Sequence, residues 1–262
     1  IVIKPNVYSW RSINVGNMFK NSYDYNRNLD SHMMKNTEWG SVAYLQHSKY
    51  GSQASVRINN NSSYITGYAA IVEPTLGYNG GTSIEGNRIE STSLGQDGTY
   101  TINYLNQNSV VASTTSNYSG IYDMSGGAWD YVMGYTTGAT TLGGLSTITS
   151  LYSNFFNDNT YLKYWDKYST TIQVKYDNRM LGDATGEMGP FESKLDNSNI
   201  TRLISSWYKN YGGFIFSTYP WYVRGGYTEL GTISGSVAFA ANNGSDNQNI
   251  VSSYRIVLAP TK

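Results

Sequence analysis

Three observations on the amino-acid sequence predict a single α+β domain. Residues 31–51 show the clearest helical pattern, whereas the chain from residue 211 onwards reads as short strands separated by turns. No proline-rich or charge-rich linker divides the 262 residues into two domains. No segment repeats at a fixed period, which argues against a solenoid or a propeller. We therefore expect one compact domain over residues 1–262.

The helix predicted within residues 31–51 has recognisable ends and an apolar stripe. Asn36 or Thr37 is suited to cap its N-terminus, and Gly51 is a natural C-terminal stop. A second, shorter helix is expected around Asn17–Tyr25. The stripe residues recur at i, i+3, i+4 and i+7, with one more widening the stripe: Trp39, Val42, Ala43, Gln46 and Leu45.

Two long insertions are expected, at about residues 52–118 and 135–205. The first is loop-like, with strand candidates in "SVRI" and "YAAIV". The second begins with the flexible stretch "YTTGATTLGGLSTITS", and short helices are expected in "NDNTYLKYWDKY" and "NITRLISSWYKNYGG". The closing strands are expected in "GGFIFS", "WYVRGG", "GSVAFAANNG" and "SSYRIVLAP".

Composition excludes several classes of function. The chain carries 18 basic and 18 acidic residues, so it lacks the basic surplus that favours binding to nucleic acid or to an anionic membrane. It contains no cysteine, which excludes thiol catalysis, iron–sulfur clusters and cysteine-ligated zinc. No stretch approaches the roughly 20 apolar residues of a membrane span. Since the chain starts at Ile1 rather than Met, we expect any signal or anchor to lie upstream.

Uncharged polar and aromatic side chains dominate the remaining composition. Only 14% of the residues are charged, against the usual quarter, and Tyr occurs 25 times. Such a surface suits the outside of a cell, where flat rings and neutral hydrogen-bonding groups meet sugars or proteins. A β-rich protein with Tyr and Thr on its strands would have the same composition, so both interpretations stay open.

The segment "GIYDMSGGAWDYVM" at residues 120–133 predicts a tight turn above a hydrophobic core. Gly126 and Gly127 permit a backbone path with positive φ, and Asp123 is suited to accept N–H bonds across the turn. The residues expected to fill the core here are Ile121, Met124 and Trp129.

Three further residues have expected scaffold roles. Trp39 is expected to pack in the core beneath its helix. Arg224 ends a strand before a Gly-Gly turn, and we expect it to run along apolar surface towards a carboxylate or carbonyls. Arg255 lies in the closing strand.

Four segments in this order resemble one known family: "NTEWGSVAYL", "GIYDMSGGAWDYV", "WYVRGG" and "SYRIVL". The pattern is similar to the formylglycine-generating-enzyme (sulfatase-modifying factor) domain, whose members show T/E-x-E-W-E, G-L-Y-D-M-x-G-N-V-W-E-W, R-G-G-S-W and G-F-R. It also resembles uncharacterised surface proteins of gut Firmicutes, many with a prepilin-like N-terminal helix. The resemblance implies a variant of the C-type-lectin fold, with core motifs over residues 31–260.

The enzymes of this family give two chemistries to weigh. The oxidases bind copper through a cysteine pair, which this chain lacks. The related iron-dependent sulfoxide synthases need a histidine cluster, and this chain has only His32 and His47. On one continuous helix those two rings would be about 22 Å apart, too far to share a metal; a break near Asn36 would remove that estimate. We expect both to be surface or capping histidines.

The resemblance also implies a calcium site. In formylglycine-generating enzymes the G-N-V-W-E turn holds Ca²⁺ through backbone carbonyls and the acidic residue. Carried onto this chain, the ligands are Asp130 and the carbonyls of Ser125, Gly126 and Ala128. Gly127 replaces the family's Asn, and Asp130 is shorter than the family's Glu.

On a lectin-like scaffold, a variable binding surface is expected in the C-terminal third. The segment "YTELGTISGSVAFAANNGSDNQNI" is rich in Asn, Ser and Gly, and tyrosines and a tryptophan accompany it. The expected ligand-binding residues are Tyr219, Trp221, Tyr222, Tyr227, Asn242, Asn243, Asn247 and Asn249. An ordinary solvated loop would have the same composition.

These features favour a noncatalytic extracellular protein, either adhesin-like or a pilus or appendage subunit. Its expected partner is a host or bacterial surface ligand, protein or glycan, with self-assembly into an appendage as a further option. Nucleic acid is not expected as a partner. A purely structural appendage or phage-fibre subunit is the alternative, followed by an unrecognised carbohydrate-active enzyme with a carboxylate pair.

Overall fold

The structure, a computed structural model, describes residues 10–51, 113–115, 117, 120–122, 124–139, 144–169, 179–195, 201–227, 230, 233–245 and 251–259. Several sequence predictions lie outside these residues. They are the strand candidates "SVRI" and "YAAIV", the turn acceptor Asp123, and the ligand-binding residues Asn247 and Asn249.

Short helices and many short strands confirm the predicted α+β class. The helices are α1 (Val15–Asp24), α2 (Asn36–His47), α3 (Leu145–Leu151) and α4 (Asn159–Leu162), with a 3-10 turn at Arg27–Leu29. The strands are β1 (His32–Met33), β2 (Trp129–Thr136), β3 (Asp166–Tyr168), β4 (Phe191–Leu195), β5 (Thr201–Ser205), β6 (Tyr211–Gly212), β7 (Trp221–Arg224), β8 (Phe239–Asn242), β9 (Ser252–Tyr254) and β10 (Ile256–Val257).

One mixed sheet organises the described part of the chain. Its strand order is β3-β2-β7-β8-β6-β5-β4, and β9 also pairs with β2. β2 runs antiparallel to β7 but parallel to both β3 and β9. A separate antiparallel pair joins β1 to β10. Because both closing strands pair with elements far back in the sequence, the C-terminal segment ties the sheet to the region before α2.

The sheet is covered on both faces, and strand β2 shows this most directly. All eight of its residues are buried. Tyr131, Met133 and Tyr135 point into one hydrophobic cluster, whereas Val132 points into another. This two-residue alternation is the expected geometry of a strand with a core on each side.

Each core has its own helix. On one face α1 contributes Val15, Met18 and Phe19 to an aromatic cluster, and α3 contributes Ile148. On the other face α2 contributes Trp39, which packs with Met124, Tyr222 and Phe239 among others. Asn14 caps α1, since its side chain accepts a hydrogen bond from the Asn17 N–H at 2.9 Å. The predicted short helix and the predicted core position of Trp39 are both confirmed.

The boundaries of α2 differ from the prediction. Neither Asn36 nor Thr37 is its N-cap residue: Lys35 occupies that position, and Glu38 accepts a hydrogen bond from the Lys35 N–H at 2.8 Å. The helix ends at His47, before Gly51. Leu45 does not widen the buried stripe, because it is 58% exposed. It lies beside the buried stripe rather than on it, where helical geometry turns its side chain to solvent.

The second insertion is more regular than expected. The stretch "YTTGATTLGGLSTITS" contains the end of β2 and all of α3 except its last residue. The helix expected in "NDNTYLKYWDKY" is confirmed as α4, and β3 follows it. The helix expected in "NITRLISSWYKNYGG" is wrong, because this segment forms the hairpin β5–β6. Pairing of β5 with β4 and β6 overrides the weak local helix preference.

Helix α2 packs closely against the backbone at Gly182–Asp183, and this contact requires Gly40. A Cβ at position 40 would lie 2.5 Å from the Asp183 carbonyl carbon and closer still to the Gly182 oxygen. We expect Gly40→Ala to lower the free energy of unfolding by about 1–3 kcal/mol through overpacking, although Ala alone would favour the helix by about 1 kcal/mol. Denaturant unfolding followed by circular dichroism measures this difference.

Gly213→Ala is the matched control for this substitution. A Cβ at position 213 would meet no heavy atom closer than 3.4 Å. We expect its effect on the free energy of unfolding to stay below about 1 kcal/mol. Equal stability of Gly40→Ala and the wild type would contradict the close approach of α2 to this backbone.

Candidate functional site

The structure separates the predicted ligand-binding residues into three groups. Trp221 and Tyr222 are fully buried on β7, so their prediction as surface anchors is wrong. The physical reason is that β7 lies inside a sheet with a core on each face, and the two rings enter opposite cores. Tyr227 follows the other end of β7 and packs against Trp129, with 6.1 Å between ring centroids.

Within the described residues, the remaining predicted residues, Tyr219, Asn242 and Asn243, lie at one end of the β7–β8 pair. Trp221 lies opposite Asn242 in the antiparallel register. The chain just before β7, with Tyr219, and the chain just after β8, with Asn243, therefore emerge at the same end of the sheet. We call residues 216–219 and 242–245 together the β7–β8 rim. Tyr219 is 44% exposed, and Asn242 and Asn243 are half-buried.

Both halves of the β7–β8 rim are tight turns. Phe216 and Tyr219 exchange two backbone hydrogen bonds, of 3.1 and 3.0 Å, and their rings lie 5.3 Å apart. The Asn243 side-chain oxygen accepts from the Ser245 N–H at 3.0 Å and from the Ser245 hydroxyl at 2.9 Å. The rim is therefore a preorganised surface with an aromatic ring and side-chain amides.

The turn at residues 124–130 has the predicted shape. Gly126 and Gly127 have φ values of 79° and 74°, a region that favours glycine. Met124 and Trp129 are buried as expected, whereas Ile121 is 40% exposed and does not fill the core. Ile121 instead lies in a surface segment where its N–H donates to the Thr114 hydroxyl at 3.0 Å.

Asp130, the predicted calcium ligand, forms an ion pair within the protein. Its Oδ2 accepts a hydrogen bond from Arg255 Nε at 2.8 Å, and both side chains are largely buried. Arg255 also donates to the Tyr122 carbonyl at 2.9 Å. In the described segments, no group of three or more His, Asp or Glu side chains is placed to hold a metal ion. Calcium binding by the carbonyls of Ser125, Gly126 and Ala128 stays a prediction.

A buried polar network that the sequence did not reveal surrounds Arg224. This guanidinium is fully buried and does not run out along the surface as expected. It donates to Asn36 Oδ1 at 3.0 Å, to the Asp183 carbonyl at 2.8 Å and to the Ala184 carbonyl at 3.1 Å. The prediction that Arg224 reaches carbonyls is confirmed, but the acceptors come from a segment that carried no motif.

Asp183 is the acidic centre of the same network. Its carboxylate accepts hydrogen bonds from the Thr185 N–H and hydroxyl at 2.9 and 2.6 Å. It also accepts from the Tyr168 hydroxyl at 2.6 Å, and from Asn36 Nδ2 at 3.2 Å. Burial raises the pKa of the Asp183 carboxyl, and the hydrogen bonds from Thr185 and Tyr168 act in the opposite direction.

The buried polar groups of this region have a structural role. Arg224, Asp183 and Asn36 are bonded to one another or to backbone, and Asp130 is bonded to Arg255. Burial with such partners suits groups that hold elements together. A turn of the form Asp-x-Thr, here Asp183 and Thr185 beside Gly182, is the one local signal in the sequence that could have indicated this network.

The two histidines lie in different environments. His32 is on β1 and is 5% exposed, so its prediction as a surface or capping residue is wrong. His47 is in the last turn of α2, half-buried, with its ring 4.7 Å from that of Tyr208. Because β1 ends before α2 begins at Asn36, the distance estimated for one continuous helix does not apply.

Arg224→Met tests the buried network. We expect it to lower the free energy of unfolding by about 3–5 kcal/mol, because it leaves the buried Asp183 carboxylate without its neighbouring cation. The double substitution with Asp183→Asn should cost less than the sum of the two single ones. Denaturant unfolding of all four proteins measures the coupling.

Lys20→Met serves as the control for loss of a cation. Lys20 pairs with Asp24 at 2.8 Å on the surface, so its loss should cost at most about 1 kcal/mol. A similar loss for Lys20→Met and Arg224→Met would contradict a special role for the buried guanidinium.

The resemblance to the formylglycine-generating-enzyme domain rests on the sequence motifs alone. No model of a known protein family matches the chain, and no curated protein matches its sequence. Among the described residues, no helix is both long enough and apolar enough to cross a membrane. What the structure establishes is therefore a mixed α+β fold in which a covered sheet presents the β7–β8 rim.

Proposed function

We propose that this chain is a noncatalytic extracellular binding module, adhesin-like or part of a surface appendage, that holds its ligand at the β7–β8 rim. The observation that supports this proposal is the register of Trp221 with Asn242, which gathers Tyr219 and Asn243 at one end of the sheet. The ligand is a surface protein or glycan of a host or a bacterium.

The chemistry of the rim suits recognition of a neutral, polar ligand. Tyr219 offers an exposed ring with a hydroxyl, and such rings contribute contact area at little entropic cost. Asn242 and Asn243 offer their amide N–H groups as donors, whereas their side-chain oxygens accept from Gly244 and Ser245 within the rim. The rim residues 216–219 and 242–245 include no charged side chain, so binding there would depend little on salt.

In this proposal the scaffold is a variant of the C-type-lectin fold. Two described residues of the motifs that resemble the formylglycine-generating-enzyme domain have structural partners. Trp39 donates its indole N–H to the Ser236 carbonyl at 2.6 Å, and Arg255 pairs with Asp130. In this proposal the motifs specify the scaffold, and the loops supply the ligand specificity.

The second candidate is a structural subunit of a pilus, another appendage or a phage fibre. Two exposed apolar side chains favour it: Trp207 is 67% exposed at the tip of the β5–β6 hairpin, and Leu181 is 90% exposed. Such residues are typical of subunit contacts when they form part of a larger apolar area. Sedimentation analysis at rising protein concentration separates this candidate from a monomeric binding module.

Alanine substitutions at the rim test the binding proposal. On arrays of glycans and host surface proteins, we expect Tyr219→Ala and Asn243→Ala each to weaken binding of the captured ligand about tenfold or more, as for a binding hot spot. Thermal unfolding temperature should fall by a few degrees at most, because Tyr219 is 44% exposed and the Asn243 side-chain oxygen bonds only to Ser245 within the same turn.

Tyr25→Ala is the matched control. Tyr25 is also 44% exposed, but it follows the C-terminal end of α1, whereas the opposite end of that helix contacts the rim through the hydrogen bond from the Val15 N–H to the Gly244 carbonyl. Its substitution should leave ligand affinity unchanged. Equal binding by the wild type, Tyr219→Ala and Asn243→Ala would reject the rim as the site, and turnover of a polysaccharide would reject a noncatalytic role.

A further inference from the structure

The ring of His32 lies between two groups that only accept hydrogen bonds. Its Nδ1 is 2.7 Å from the Asp30 carbonyl oxygen, and its Nε2 is 3.0 Å from Glu38 Oε1. A carbonyl oxygen and an ionised carboxylate carry no proton to give. A neutral imidazole has one N–H and one lone pair, so one of its nitrogens would face an acceptor without a proton. Only the doubly protonated ring satisfies both contacts.

We infer that His32 is a proton-dependent connection that joins the turn at Asp30 to the N-terminus of α2 when doubly protonated and releases it on losing one proton. The connection does not require a ligand at the β7–β8 rim. It depends on a side chain that is 7% exposed, so water cannot readily replace the lost contact.

The charges around His32 favour the doubly protonated ring. Glu38 faces it from α2, and the Asp30 carboxylate lies close by. Arg27, Lys163 and the Tyr164 hydroxyl all bind that Asp30 carboxylate and partly offset it. The Tyr164 ring lies 5.4 Å from the histidine ring, between centroids. From β10, the residue opposite His32 is the uncharged Val257.

The electrostatic environment of His32 and its hydrogen-bond geometry both favour the doubly protonated ring. Burial alone would lower the pKa of His32, but hydrogen bonds to Glu38 and to the Asp30 carbonyl outweigh it and raise this pKa above its ordinary value. Burial would raise the pKa of Glu38, but its bonds to His32 and to the Lys35 N–H lower it. His47 differs, since burial lowers its pKa.

These directions fix the sign of the pH dependence. The raised pKa of His32 means that its contribution to stability is complete below about pH 6.5, the ordinary value, and is lost as pH rises through the raised value. Its partner Glu38 needs a pH above its own lowered pKa. The connection is therefore strongest in mildly acidic solution. His47 has the opposite effect on stability. Because burial lowers its pKa, protonation of His47 in mildly acidic solution destabilises the fold.

The position of Glu38 connects this proton to the rest of α2. One Glu38 oxygen contacts His32, and the other accepts from the Lys35 N–H at 2.8 Å in the capping box. Asn36, the next residue, belongs to the Arg224 network. Loss of the His32 proton therefore weakens the capped end of the helix from which Asn36 reaches Arg224.

Nitrogen-15 NMR of the two histidine rings, on the whole chain, tests the inference directly. His47→Gln assigns the signals, because only two histidines are present. We expect His32 to carry protons on both ring nitrogens at about pH 6.5 and to titrate above that value, and His47 to titrate below it. A His32 ring that is neutral at about pH 6.5 would overturn the inference.

Glu38→Gln is the decisive variant. Its amide keeps an oxygen for the Lys35 N–H and offers an N–H to Nε2, so the neutral ring of His32 becomes fully bonded. We expect the His32 titration midpoint to fall relative to the wild type. In the His47→Gln background, thermal unfolding temperature should drop by a few degrees between about pH 6 and about pH 9, and Glu38→Gln should reduce that drop. An unchanged midpoint and an unchanged drop would refute the connection.

Discussion

The structure depends on a guanidinium that is taken completely out of water. Arg224 sits on β7 in the middle of the sheet, and its donors reach Asn36 at the start of α2 and the carbonyls of Asp183 and Ala184. A buried cation is tolerated only where acceptors and a nearby negative charge are fixed around it. The position of α2 on the sheet is therefore tied to the segment 183–184, which has no regular secondary structure of its own.

The close packing around this network follows from the same requirement. Asp183 can serve Arg224, Asn36 and Tyr168 only if its backbone lies directly against α2, and Gly40 removes the side chain that would prevent this. Ala184 adopts a φ of 55°, which is unusual for a residue other than glycine. Its carbonyl accepts from Arg224, so the surrounding bonds hold this conformation in place.

The parts of the fold that the sequence predicted are those with strong local signals. α1, α2 and three of the four expected C-terminal strands follow from periodicity and turn residues, and the two positive φ values follow from the pair Gly126–Gly127. The strand expected in "GGFIFS" is wrong, because β6 ends at Gly212 and only an isolated bridge at Phe216 follows. The failures involve contacts between distant segments. The hairpin β5–β6 exists because β4 and β8 flank it, and nothing local in "NITRLISSWYKNYGG" announces those neighbours.

In the candidate site, the local sequence also could not predict which aromatic side chains are buried and which are exposed. A cluster such as Trp221 and Tyr222 looks alike in sequence whether it fills a core or covers a binding surface. Only the two-sided burial of β7 decides for the core, and it leaves Tyr219, with Asn242 and Asn243, to present a surface. Asp183 was missed because its partners are contributed by residues as far as 147 positions away in the sequence.

Helix α2 gathers its polar connections within its first turn. Lys35 and Glu38 form the capping box, Asn36 enters the Arg224 network, and the Thr37 N–H donates to Asp166 Oδ2 at 2.7 Å. The carboxylates of Glu38 and Asp166 both lie at the positive end of the helix, where negative charge is stabilising. Because these groups share one turn of backbone, a shift in any of them moves the donors and acceptors of the others. The protonation of His32 acts at this turn, so a change in one buried proton bears on contacts between α2, the sheet and the segment around Asp183.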